Sequence, residues 1–239
     1  MILVDEFLKL SSDKMFSEAF MVMIQLPAIL SVLVYFWKDL WPFVRDRAET
    51  RARIVLWTKI VLAFLPAAVL GVLLHGLIEK LFHPYTVAVT LLAGGIVLIL
   101  LERRKHAGRI PAARDIGFRT ALLIGLIQCA AMIPGTSRSA ATIIGAMLLG
   151  ASRMAAAEFS FFLAIPTMFG ATAFEVMKNG LHFTREQWAV VGVGSIVSFA
   201  VAYAVVAAFM GYIRRHDFKP FGYYRIALGV LVLGYFLLS

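Results

Sequence analysis

Residues 120–151 read TALLIGLIQCAAMIPGTSRSAATIIGAMLLGA, two apolar runs that flank a short segment containing Pro134, Gly135 and Arg138. Each run is shorter than the roughly 20 residues that a helix needs to cross a ~30 Å hydrocarbon core. A Pro-Gly break and an arginine at membrane depth are tolerated only where protein shields the backbone or where water reaches it. We therefore predict that Thr120–Ala151 enters and leaves a membrane on the same side, as a re-entrant helical hairpin.

The composition of the whole chain agrees with a membrane location for this segment. Of the 239 residues, 61% are apolar and 15% are charged, whereas soluble domains have about 45–50% and about 25%. Such a chain has too little polar surface for a water-exposed globule. A soluble enzyme, a secreted disulfide scaffold and a disordered protein are therefore excluded. The sequence predicts an all-α polytopic membrane protein.

Outside the hairpin, six stretches are apolar and close to the length that crosses a bilayer as a helix. In chain order they are Ala19–Trp37, Ile54–Leu81, Tyr85–Leu101, Phe159–Phe174, Gln187–Ile213 and Phe221–Ser239. Basic residues are concentrated after the first, third and fifth of these spans. They are Lys38, Arg45, Arg47, Arg51, Arg53 and Lys59, then Arg103, Arg104, Lys105, Arg109, Arg114 and Arg119, and finally Arg214, Arg215, Lys219 and Arg225.

This charge pattern predicts the orientation of the chain. Loops rich in Lys and Arg stay in the cytoplasm, so the net charge of +9 is explained by orientation rather than by nucleic-acid binding. All three basic loops can be cytoplasmic only if the hairpin has both ends on that side. The alternative is that Thr120–Ala151 forms two very short spans, which would put Arg214 and Arg215 outside.

The two halves of the chain resemble each other. In the first half, Phe20 is followed seven residues later by Pro27, and in the second half Phe159 is followed seven residues later by Pro166. We predict a first repeat over residues 1–116 and a second over 117–239, each with three spans, so that the two are inverted in the membrane. Many transporters have this architecture and bind substrate near the midplane, where broken helices meet. The second repeat begins with the hairpin, and symmetry leads us to expect a partner hairpin that the first repeat lacks.

The polar segment of the hairpin has the chemistry of an anion site. After the Pro-Gly break, Ser137 or Thr136 can cap a new half-helix, whose N-terminus presents free N–H groups. Arg138 adds a planar fork that matches phosphate oxygens. The hydroxyls of Ser137, Ser139 and Thr142 can donate to the remaining oxygens. In the alternative reading, Arg138 pairs with a carboxylate such as Glu158 or bonds to backbone carbonyls.

The string from Gln128 to Thr142 (QCAAMIPGTSRSAAT), with Glu158-Phe159-Ser160-Phe161 further on, closely resembles the undecaprenyl-diphosphate phosphatase family, the bacitracin-resistance proteins. The resemblance covers essentially the whole chain. It implies a hydrolase that converts undecaprenyl diphosphate to undecaprenyl phosphate and phosphate at the outer face of the bacterial plasma membrane. It also implies phosphate binding by four residues, support from three more and a divalent cation, Mg²⁺ or Ca²⁺. The four are Ser137, Arg138, Ser139 and Thr142, and the supporting residues are Gly135, Gln128 and Glu158.

The chain also departs from the family pattern. Family members begin with a re-entrant motif that carries two glutamates and a histidine, and Met1-Ile2-Leu3-Val4 resembles the residues that follow it. We therefore assign no catalytic residue and expect this chain to be incomplete as an enzyme. The alternative function is non-catalytic binding or transport of polyprenyl phosphates. The expected partners are undecaprenyl diphosphate and membrane lipid, with a homo-oligomer left open.

Overall fold

The computed structural model describes residues 14–74, 76, 83–103, 108–179 and 183–238, and these ranges are helical without a strand. The helices are α1 (Lys14–Met23), α2 (Gln25–Tyr35), α3 (Trp37–Leu40), α4 (Arg47–Leu73), α5 (Pro84–Arg103), α6 (Phe118–Gln128), α7 (Arg138–Leu148), α8 (Arg153–Asn179), α9 (Arg185–Ile213) and α10 (Lys219–Leu238). Two short 3-10 turns, Ala113–Asp115 and Cys129–Met132, precede and follow α6.

Four helices are long and apolar enough to cross a membrane: Arg47–Leu73, Tyr85–Arg103, Arg153–Phe174 and Arg185–Ile213. They correspond to the second, third, fourth and fifth predicted spans. The sixth predicted span is the 20-residue helix α10. The chain is therefore an all-α, multi-pass membrane protein. Residues 77–82, where the second span was expected to end, lie outside the described residues.

The first predicted span, Ala19–Trp37, is not one continuous helix. Helix α1 ends at Met23 and α2 begins at Gln25, so the chain is interrupted at Ile24. Pro27 explains the break, because proline has no N–H to donate and its ring clashes with the carbonyl four residues earlier. Restarting the helix at Gln25 places Pro27 in a first turn, where it is tolerated. By contrast, Pro166 lies inside the continuous helix α8.

Contacts divide the chain into two compact units, residues 1–37 with 167–207, and residues 38–166 with 208–239. In the first unit, the hydroxyl of Ser198 donates to the carbonyl of Ile24 at 2.7 Å. This bond links α9 to the residue directly before α2. These two units are defined by contacts and do not test the predicted inverted repeat over residues 1–116 and 117–239, which is defined by symmetry. The repeat stays a prediction.

In the second unit, several helix ends meet around Glu102, in the last turn of α5. Its buried carboxylate shares the Nε–H of Arg153 between its two oxygens, at 2.9 and 3.0 Å, and also accepts from the Nη2 of Arg153. It accepts a further hydrogen bond from the Phe218 N–H at 3.0 Å. The end of α5 therefore lies beside the starts of α8 and α10. The network brings the segments after the third and fifth predicted spans to one end of this unit.

The hairpin consists of α6 and α7, each 11 residues long, or about 16 Å at 1.5 Å per residue. Its two ends are joined: the Ile110 N–H donates to Gly150 O at 3.0 Å and the Ser152 N–H to Ile110 O at 2.8 Å. Helix α6 lies so close to α4 that a Cβ on Gly125 would be 2.1 Å from the carbonyl oxygen of Ala63. Only a glycine allows this approach.

Two cations that the sequence analysis counted as loop residues are buried in helices. Lys59 lies in α4 and donates to the carbonyl of Arg114 at 2.8 Å, and Arg225 lies in α10. Charge counting could not separate them from solvent-exposed loop cations because it considers only position along the chain.

Candidate phosphate-binding site

The turn between the two hairpin helices has an unusual backbone. Gly135 has a φ of +87° and Ser137 a φ of +66°. A non-glycine residue at positive φ is strained, and such strain is concentrated at functional sites. Ser137 caps α7, as predicted, and accepts a hydrogen bond from the Ala140 N–H at 3.4 Å.

The cap leaves backbone donors free at the start of α7. Among the described residues, no acceptor is found for the N–H groups of Ser137, Arg138 and Ser139. Three adjacent N–H groups at the positive end of a helix dipole form a binding site for an oxyanion.

Arg138 is the first residue of α7 and lies beside these donors. Its Nη1 donates to the carbonyl of Ser160 at 3.3 Å. Within the described ranges it forms no ion pair. The alternative considered from the sequence was that Arg138 bonds to backbone carbonyls or pairs with Glu158. The bond to a backbone carbonyl is present, whereas the pairing with Glu158 is not found. No carboxylate of the described residues therefore compensates the charge of Arg138, which favours a bound anion.

The three hydroxyl residues of the motif have different surroundings. Ser137 and Ser139 are exposed, and their hydroxyl oxygens lie 3.2 Å apart. Thr142 is fully buried, and its hydroxyl oxygen lies 2.6 Å from that of Ser160. The same hydroxyl contacts the carbonyls of Arg138 and Ser139 at 3.0 and 3.1 Å. Thr142 therefore holds the first turn of α7, and its contact with a phosphate stays a prediction.

The turn is also held from outside the hairpin. The Thr90 hydroxyl donates to Pro134 O at 2.7 Å. The Nη2 of Arg225 donates to the carbonyls of Gly135 and Thr136 at 3.2 and 3.0 Å. Sequence reasoning missed these residues and Ser160. The signal for Arg225 was its position as a charged residue inside an apolar predicted span.

The supporting residues Gln128 and Glu158 have different surroundings. Gln128 is 2% exposed, and neither polar atom of its side chain has a hydrogen-bond partner among the described residues. Glu158 accepts a hydrogen bond from the Ala113 N–H at 3.4 Å and lines a cavity of about 260 Å³ with Asp39, Arg53 and Arg114. Gln128 is thus an unpaired buried amide, whereas Glu158 has a partner before α6.

The described residues do not provide a protein cage for the expected divalent cation. No group of three or more His, Cys, Asp or Glu side chains within those ranges could hold a metal ion. Of the histidines, His216 stacks on Tyr212, with ring centroids 4.3 Å apart, and His83 is exposed. His75, His106 and His182 lie outside the described ranges. The chemistry available at the turn is anion binding.

Comparison with known proteins gives similarity along nearly the whole chain. Residues 1–231 match the family model for the bacitracin resistance protein BacA. The chain is 49% identical to undecaprenyl-diphosphatase 1 of Clostridioides difficile, over 100% of this chain and 88% of that protein. It is 50% identical to an undecaprenyl-diphosphatase of Fusobacterium nucleatum (91% and 84% covered) and 45% identical to one of Enterococcus faecalis (98% and 87% covered).

Proposed function

Since the chain belongs to the BacA family of bacitracin resistance proteins, we propose that it hydrolyses undecaprenyl diphosphate to undecaprenyl phosphate and inorganic phosphate. The product is the lipid carrier of cell-wall precursors, so turnover would recycle that carrier and confer resistance to bacitracin. The observation that carries the proposal is the guanidinium of Arg138 beside three backbone N–H groups, for which the described part of the chain provides neither a carboxylate nor an acceptor. Relatives of similar length are named undecaprenyl-diphosphatases.

In the proposed reaction, the terminal phosphate of the substrate lies at the start of α7. Oxygens of this phosphate accept hydrogen bonds from the free N–H groups, from the Ser137 and Ser139 hydroxyls and from Arg138. Water supplies the oxygen that is added to the terminal phosphorus, and the bond from that phosphorus to the bridging oxygen breaks. The terminal phosphorus leaves as inorganic phosphate, and the protons of the water pass to the products and the solvent. The lipid phosphate then leaves with the bridging oxygen. Donors that are already in place stabilise the charge that develops. We assign these residues to binding and charge stabilisation and assign no nucleophile or base.

We also propose that Thr120–Ala151 is a re-entrant hairpin within an inverted repeat. Each of its helices is about half the length that crosses a ~30 Å hydrocarbon core. The backbone bonds of Ile110 to Gly150 and Ser152 favour an entry and an exit on the same side. With the basic loops on the cytoplasmic side, the turn lies within the bilayer of the plasma membrane and is reached from the outer face.

Phosphate release from undecaprenyl diphosphate by the purified 239-residue protein in lipid vesicles tests the activity. We expect Arg138→Ala to lower kcat/KM by about 10²–10³-fold, as loss of a charged donor at a transition state does. Arg138→Lys retains the charge without the planar fork, and its kcat/KM should lie between those of the unsubstituted protein and Arg138→Ala. Arg185→Ala is the matched control, because Arg185 is an exposed arginine at the start of α9.

Two results would contradict the proposal. If Arg138→Ala released phosphate at the same rate as the unsubstituted protein, the site at the start of α7 would have no role in the reaction. Absence of turnover in the unsubstituted protein, combined with saturable undecaprenyl phosphate binding that Arg138→Ala abolishes, would favour the alternative, a non-catalytic polyprenyl-phosphate binding protein.

A further inference from the structure

We infer that Arg225 is a positioning residue of the phosphate-binding turn, which it orients through backbone carbonyls. Its Nη2 donates to Thr90 O in α5 at 3.2 Å, and to Gly135 O and Thr136 O in the turn. One nitrogen on α10 thus joins α5 to the segment that precedes Arg138. The effect of this residue on turnover rests on the proposed function, whereas its effect on the turn does not.

The carbonyl contacts determine which way the turn's amides point. In a trans peptide unit, the N–H of one residue points opposite to the carbonyl of the preceding residue. Since Arg225 holds the carbonyl of Thr136, the N–H of Ser137 points away from Arg225. That N–H is one of the three free donors at the start of α7. Arg225 therefore fixes the direction of a donor that it does not itself touch.

Glycines create the space through which Arg225 reaches the turn. A Cβ on Gly94 would lie 2.5 Å from the Arg225 Nη2, and a Cβ on Gly95 would lie 2.7 Å from the carbonyl oxygen of Gly222. Helices α5 and α10 are therefore in backbone contact where the guanidinium passes between them. A side chain at position 94 would displace the guanidinium without changing its charge.

The charge of Arg225 indicates more than a structural role. The residue is 8% exposed, its Nε is buried without a partner, and no carboxylate pairs with it among the described residues. A neutral donor would hold the same carbonyls at a much lower desolvation cost. An anion bound at the adjacent turn offsets the charges of both Arg225 and Arg138.

A double-mutant cycle tests the inference. It compares Gly94→Ala, Arg225→Ala and the double variant with the unsubstituted protein, and Arg225→Lys provides a variant that retains the charge. Gly234→Ala is the control on α10, because a Cβ there has nothing within 4 Å. Hydrogen–deuterium exchange of residues 133–141, with and without inorganic pyrophosphate as the probe, reports on the turn. Phosphate release reports on turnover.

We expect faster exchange at the turn and weaker protection by pyrophosphate in both single variants. We also expect kcat to fall about 10–100-fold, the effect of a donor misplaced by ~1 Å, with KM nearly unchanged. In the double variant the alanine at 94 occupies the space that the guanidinium leaves, so it should resemble Arg225→Ala alone.

The inference would be overturned if the effects of Gly94→Ala and Arg225→Ala simply added in the double variant. It would also be overturned if both single variants showed the same hydrogen–deuterium exchange at the turn as the unsubstituted protein. If the unsubstituted protein shows no turnover, the proposed function fails. Exchange and pyrophosphate protection still decide the role of Arg225 in that case.

Discussion

Replacement of Gly125 by alanine tests how the hairpin is held against α4. The new Cβ would lie 2.1 Å from the carbonyl oxygen of Ala63 and 2.8 Å from its carbonyl carbon. Ordinary contact begins at 3.4 Å, so the two helices must separate by about 1.3 Å, the difference between the two distances. Backbone atoms cannot rotate out of the way as a side chain can. The whole arm of the hairpin must therefore move.

The expected magnitude follows from two opposing effects. Overpacking costs about 1–3 kcal/mol, and this backbone contact belongs at the upper end of that range. Alanine is a better helix former than glycine by about 1 kcal/mol. The net loss in the free energy of unfolding is therefore about 2 kcal/mol, which lowers the thermal midpoint of a chain of this size by roughly 4–8 °C.

Thermal unfolding of the detergent-solubilised protein, followed by far-UV circular dichroism, measures the loss. Gly117→Ala is the matched control, because Gly117 precedes the same helix, has a φ of −75° and has nothing within 4 Å of a Cβ. We expect it to lower the midpoint by only about 1–3 °C, because alanine is a poorer N-cap than glycine by roughly 0.5–1 kcal/mol. Equal midpoints for Gly125→Ala and the unsubstituted protein, or equal losses in both variants, would refute the packing argument.

Three further predictions concern charged and polar groups. Glu102→Gln is expected to lower stability by about 1.5–3 kcal/mol, because the Glu102 carboxylate is 1% exposed and accepts charge-assisted hydrogen bonds from the half-exposed Arg153. Glu49→Gln should cost less than about 1 kcal/mol, because the Glu49 carboxylate is 41% exposed. Equal losses in chemical denaturation would contradict this difference. Gln128→Leu removes two buried polar atoms that have no partner among the described residues. It should raise the free energy of unfolding by about 1–2 kcal/mol and lower the rate of phosphate release. A lower free energy of unfolding would mean that the amide has a partner. A hydrogen bond from Lys219 holds the pKa of Asp217 below its ordinary value of 3.8. The bond therefore stabilises the fold above pH 3.8, and this stabilisation is lost as the pH falls through the lowered pKa. Asp217→Asn should reduce the thermal midpoint at about pH 6, and the reduction should become smaller as the pH falls below 3.8; a reduction that does not depend on pH would contradict this.

Local patterns in the sequence were enough to predict the long helices and the cap. Arg47–Leu73, Arg185–Ile213 and the other candidate spans follow from apolar length alone, because a helix satisfies its own backbone in lipid. Ser137 was predictable as a cap because a hydroxyl after a Pro-Gly break can accept from the N–H groups that follow. The hairpin itself was expected from the short length of its two apolar runs.

Contacts between distant segments were not predictable in this way. Arg225 is 90 residues from Gly135, and Ser160 is 18 residues from Thr142. Apolar periodicity does not report which helices are neighbours. The burial of Thr142 and the glycine-lined space around Arg225 depend on which helices pack together, so sequence reasoning assigned Thr142 to the ligand and Arg225 to a loop.

The contact between Arg225 and the turn has a consequence for the biogenesis of the protein. A ribosome completes the Pro-Gly-Thr-Ser-Arg segment long before Arg225, 90 residues after Gly135, leaves the exit tunnel with α10. Until α10 has inserted into the bilayer, the carbonyls of Gly135 and Thr136 have no guanidinium to bind. A nascent chain that has inserted every earlier helix would still have an unoriented turn. The site therefore matures only after α10 has been translated and inserted, and chains that stop before α10 would enter the membrane without a formed phosphate site.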